Sequence, residues 1–134
     1  MILHMDFSAE MLYVEFDGEY FPAEHWRDLV AADLDVWLPR LISFGMGHSD
    51  ICVLPFMDGP ACIELCRQSD GGIRADCLWE RQVQISQIID LLEFLKSVAS
   101  CLRRGNWLRY EAGAPALFAP ELARISVLLK QLPQ

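Results

Sequence analysis

The chain is 134 residues long and 53% hydrophobic, with 19 acidic and 11 basic side chains and a formal net charge of −8. Its length suits one domain, residues 1–134, burying roughly two thirds of the surface an unfolded chain exposes, and its uncharged apolar runs reach only about half of the ~20 residues a membrane-spanning helix needs. The sign of the charge argues against nucleic acid and anionic membrane as partners and in favour of a basic one.

The acid is concentrated at the amino end. Asp6, Glu10, Glu15, Asp17, Glu19, Glu24, Asp28, Asp33 and Asp35 share the first 35 residues with one basic residue, Arg27, so this segment carries the whole net charge and the rest of the chain balances. The opening run, Met1-Ile2-Leu3-His4-Met5-Asp6, has no cationic stretch and meets a carboxylate before a signal-peptide core could form, so a cytoplasmic protein is expected.

Residues 11–16 alternate, with Leu12, Val14 and Phe16 on one face and Tyr13 and Glu15 on the other. Asp17-Gly18 then separates this run from Glu19-Tyr20-Phe21, and both central residues of a type I′ turn need positive φ, so a β-hairpin is predicted. After Pro22, the spacing of Trp26, Leu29, Val30, Leu34, Trp37, Leu38 and Leu41 predicts a helix over residues 24–42. Glu24, Asp28 and Asp35 would form an acidic stripe along it, and Pro39 should end or kink it.

Residues 51–57 and 61–66 read as strands joined by Asp58-Gly59-Pro60, with Pro55 at an edge or an irregular point. A further turn at 68–72 leads into a third strand over 73–79. Ser86 reads as the cap of a long helix through Ile88, Leu91, Leu92, Leu95, Val98, Ala99 and Leu102, finished by Arg103, Arg104 and Gly105. Residues 106–118 read as a loop, and Pro120 opens a last helix through Leu122, Ile125, Leu128, Leu129 and Leu132. The expected class is α+β: an antiparallel sheet of about five strands, built from a hairpin, a helix, a three-stranded meander, a long helix and a C-terminal helix, with the helices packed on the sheet.

Chemistry is sparse. Cys52, Cys62, Cys66, Cys77 and Cys101 are expected to be reduced, and they read as small hydrophobes. Cys62 and Cys66 share a strand face about 13 Å apart, too far for one metal or a disulfide. His4, His25 and His48 stand in no spacing that carries a mechanism. The best enzymatic pair is Cys52 with His48, although Cys52 is flanked by Ile51 and Val53 where a nucleophile needs exposure. Asp58 sits where a carboxylate could act as base or magnesium ligand, but Asp-Gly-Pro is also what a tight turn requires. The basic and aromatic residues Arg103, Arg104, Trp107, Arg109 and Tyr110 could stack bases, yet the first two are explained as a helix terminus.

Phe16-Asp17-Gly18-Glu19-Tyr20-Phe21-Pro22, followed by Trp26-Arg27-Asp28-Leu29-Val30, Trp37-Leu38 and the turn Phe56-Met57-Asp58-Gly59-Pro60, resembles the opening of small bacterial immunity proteins of contact-dependent growth inhibition and related polymorphic toxin systems. The resemblance covers about the first 80 residues. It implies a cytoplasmic inhibitor that binds a cognate toxin domain, with no shared catalytic residue to carry across.

Charge and resemblance together give the expectation: a non-enzymatic protein that neutralises a basic toxin domain, a nuclease, with carboxylates standing in for phosphates. The expected contact residues are Glu15, Asp17, Glu19, Tyr20, Glu24, His25, Asp28 and Asp35, with no catalytic group, metal or cofactor. The rivals are a small cytoplasmic hydrolase or transferase built on Cys52 and His48 or on Asp58, and a regulatory scaffold subunit whose apolar excess marks an oligomer interface.

Overall fold

The structure is a computed structural model that describes the backbone of residues 1–111 and 118–133, and the side chains of 1–105 and 118–133. In chain order the elements are β1 (Ile2–Asp6), β2 (Met11–Phe16), β3 (Glu19–Phe21), α1 (Val30–Gly45), β4 (Ile51–Pro55), β5 (Ala61–Arg67), β6 (Ile73–Trp79), β7 (Gln82–Ile89), α2 (Leu91–Glu111) and α3 (Ala119–Gln131). The class is α+β, but among the described residues seven strands form two antiparallel sheets, β1-β2-β3 and β4-β5-β6-β7, in place of one sheet of about five.

The alternation of residues 11–16 becomes a pleat. Leu12, Val14 and Phe16 are buried, while Tyr13 and Glu15 lie on the outer face. Asp17 and Gly18 take φ values of 48° and 89°, as the type I′ turn requires. The pairing of Glu15 with Tyr20 and of His4 with Tyr13 then puts all four side chains on that outer face.

The first helix starts later than its apolar spacing predicts. Residues 26–28 are committed to the sheet: the Leu12 N–H donates to the Trp26 carbonyl at 2.9 Å, the Asp28 N–H donates to the Glu10 carbonyl at 3.0 Å, and Met11 bridges Arg27. His25, at φ 62°, turns the chain out of helical geometry. Glu24 and Asp28 are therefore not on a helix, and the acidic stripe does not form. Pro39 neither ends nor divides α1, which runs on to Gly45 with the proline on its exposed side.

The four-stranded sheet holds the meander that was expected and one strand that was not. β7 pairs along β6 through a turn in which Glu80 and Arg81 both have positive φ, 51° and 67°. Ser86 thus sits in a strand, donating its hydroxyl to Asp76 at 2.6 Å, and the cap of α2 is Asp90, whose Oδ1 accepts the Leu92 N–H at 3.0 Å. The helix runs on through Arg103, Arg104 and Gly105, and the missing side chain of Gly105 lets the Phe7 ring lie against its backbone. A Cβ at that position would fall 2.0 Å from the ring.

Of the loop expected over residues 106–118, the first six continue α2. Residues 112–117 and the side chains of Trp107, Arg109 and Tyr110 lie outside the described residues. The inner faces of both sheets, with Trp37 and Leu41 of α1, Phe94 and Val98 of α2 and Ile125 of α3, make one buried cluster. Among the described residues no helix is long and apolar enough to cross a membrane.

Candidate functional site

The outer face of β1-β2-β3 gathers polar aromatic and charged groups that did not stand together in sequence. His4 stacks on Tyr13 with ring centroids 5.0 Å apart. The edges of Tyr20 and His25 meet the same tyrosine at 5.8 and 5.7 Å. His4 Nε2 lies 2.8 Å from Glu15 Oε1, and His25 Nε2 lies 3.2 Å from Glu24 Oε1. The two carboxylates make the surface electronegative. Burial, and then Glu24, push the Tyr13 phenol up, while Glu24 and Glu15 push up that of Tyr20.

Of the eight expected contact residues, this arrangement brings together Glu15, Tyr20, Glu24 and His25. Asp17 and Glu19 are exposed at the hairpin tip beside it. His4 and Tyr13 were missed. Strand alternation had already put Tyr13 on the face opposite Leu12 and Val14, but only the pairing with β1 brings His4 over it. Asp35 is exposed on α1, and no described contact links it to the strand cluster.

Asp28 is a correction. It is 4% exposed and saturated with donors: Trp26 Nε1 and the Leu29 N–H at 2.8 Å, the Met57 N–H at 3.1 Å and the Asp58 N–H at 3.2 Å. Its position just before α1 adds the favourable end of the helix dipole. Asp33, fully buried one turn into α1, accepts the Met57 N–H on Oδ1 at 2.8 Å, while its Oδ2 meets no N–H or O–H donor. Desolvation, with the adjoining Asp28 carboxylate, pushes the Asp33 carboxyl up to about 8. At neutral pH Asp33 is therefore the protonated member of a carboxyl pair, its O–H donating to Asp28. Through the Met57 and Asp58 N–H groups this pair fastens the turn of residues 56–60 to the start of α1.

No described hydrogen bond links the groups of the enzymatic rival. Cys52 is 2% exposed with its thiol pushed up to about 12 by burial, against a smaller opposing pull from Arg40. His48 is on an exposed loop, and no described hydrogen bond joins the two. Asp58 is exposed at its turn and is held there through its own N–H. A groove of about 660 Å³ between α1 and α3 is lined by Ile42, Met46, Val127 and Leu128 with His48 and Arg124, and its lining includes no thiol or carboxylate. Among the described residues no group of three or more His, Cys, Asp or Glu is placed to hold a metal ion.

Thiol chemistry gives a direct check. Cys77 is fully buried with its thiol also pushed up to about 12 by desolvation, Cys101 is raised by burial, and Cys62 and Cys66 are half-buried on the outer face of β5. Under a limiting maleimide, native protein should label at Cys62 and Cys66, with Cys52, Cys77 and Cys101 reacting only after unfolding, as peptide mass spectrometry would show.

In comparisons with known proteins, no family model, no curated protein and no solved structure matches the chain.

Proposed function

We propose that this protein is a binding inhibitor of the immunity type, which neutralises a basic toxin domain, a nuclease, by docking it on the outer face of β1-β2-β3. The supporting observation is the cluster of His4, Tyr13, Glu15, Tyr20, Glu24 and His25 on one sheet face. Tyrosines offer large contact area at low entropy cost, and unburied carboxylates around them steer a cationic surface into place. Asp17 and Glu19 at the hairpin tip extend the field, whereas Asp28 and Asp33 take no part in docking because they are internal.

Co-expression with the toxin domain encoded beside the gene tests this reading. Cells should be protected, and the purified pair should associate at a rate that falls steeply with added salt. Glu15→Lys with Glu24→Lys should slow association at low salt by about tenfold or more while leaving the far-ultraviolet spectrum unchanged. A rate indifferent to both salt and the double substitution would dismiss the docking face.

A further inference from the structure

Each sheet edge presents main-chain groups that must be bonded, hidden or left open to another strand. Three of the four edges here are closed. On β1 the Leu3 N–H donates to Ser97 Oγ at 2.9 Å, and the Leu3 carbonyl accepts from Cys101 Sγ at 3.4 Å, both from α2. β3 is three residues long and stops at Pro22. On β4 all three alternate carbonyls are taken: Ile51 by the Ser49 hydroxyl at 2.7 Å, Val53 by Arg40 Nη1 at 2.8 Å and Pro55 by the Trp37 indole N–H. Pro55 has no N–H of its own.

β7 is treated differently. Its eight residues carry no charge and no proline, and apart from Gln84 Nε2 on the Gln82 carbonyl no described side chain bonds its backbone. A bulge leaves Gln84 unpaired with β6, so the regular edge runs over residues 85–89, about the length of an average strand, and its last three residues border a cleft shared with Met1, Ile2 and Glu15. Ile88, two thirds exposed, stands on it.

We propose that this edge pairs with β7 of a second copy, antiparallel, joining two four-stranded sheets into one of eight. Charge selects that occupant. A chain at −8 repels its own kind over most of its surface, but β7 itself is neutral. Exposed Glu80 and Arg81 precede the strand and offset each other, while Asp90 and Glu93 follow it. Antiparallel pairing sets the neutral end of each strand beside the acidic end of its neighbour, whereas parallel pairing would set the two acidic ends side by side. The contact is isologous, so it closes on two copies.

Sedimentation velocity on the full chain, from low-micromolar to near-millimolar concentration, tests this. A monomer–dimer equilibrium is expected, with β7 amides exchanging hydrogen quickly in dilute protein and slowly in concentrated protein. Ile88→Lys places two ammonium groups at the seam and should weaken dimerisation by about tenfold or more without moving the unfolding midpoint. Arg81→Glu, in the exposed turn, should also weaken it, which keeps a reading if the first variant folds poorly. Ala31→Gln, an uncharged change on the exposed side of α1, should leave it unchanged. A monomer at every concentration, a dimer insensitive to both the Ile88 and the Arg81 substitution, or β7 amides protected only when another protein is added would each overturn self-pairing.

Discussion

Asp28→Asn should lower the unfolding free energy by about 3 kcal/mol, while Asp33→Asn, one turn away, should cost about 1 kcal/mol at pH 5 and nothing or less at pH 8. The asymmetry follows from who donates. Asp28 accepts from Trp26, Leu29, Met57 and Asp58, so an amide there turns two protons toward existing donors and loses the charge that holds them. Asp33 already behaves as a neutral group. An amide in its place would keep the acceptor for Met57 and the donor for Asp28, adding only one buried N–H without an acceptor.

The pH course carries the sign. The Asp33 carboxyl sits at about 8 when folded and near the ordinary value of about 4 when unfolded. Its contribution is fully present below the unfolded value and is lost as pH climbs to the folded one, because the unfolded chain ionises freely while the buried group holds its proton. Native protein should lose up to about 1.4 kcal/mol of stability per pH unit from this group over that window. Asp33→Asn should remove that slope, so the two stability curves cross between pH 5 and 8. Urea melts at unit pH steps would show it, and parallel curves would mean that Asp33 is ionised in the native state.

Trp37→Ala should be the most damaging single change, at about 3–5 kcal/mol. The indole is completely buried, meets the Phe56 ring edge-on at 5.1 Å and donates its N–H to the Pro55 carbonyl. Trp37→Phe separates the two losses. It keeps much of the apolar volume but leaves the carbonyl open, and it should cost about half as much in a denaturant melt. Equal costs for the two variants would place the whole effect in the hydrogen bond.

What could be read in the sequence was set by local rules. The hairpin around Asp17-Gly18 was legible because turn chemistry and alternation agree, and α3 was legible because Pro120 marks its start. The start of α1 was not. Trp26 and Leu29 fit a helical spacing, yet Leu29 is exposed and Trp26 reaches Asp28 from a non-helical segment whose hydrogen bonds go to β2. β7 was hidden for two reasons: its turn uses Glu80-Arg81 where Asn-Gly would announce it, and the bulge at Gln84 breaks its alternation. The docking cluster was half legible. Glu15, Tyr20, Glu24 and His25 sit in the acidic segment, whereas His4 joins only through strand pairing, and Asp28 is drawn inside by partners 29 and 30 residues further along the chain.

Arg40 and Trp37, by occupying the carbonyls of β4, also decide how far a sheet of this kind can grow. With the carbonyls of that flank occupied and the opposite flank taken up in the proposed pair, a third molecule would find no free row of acceptors, so addition should stop at a finite particle short of a fibre.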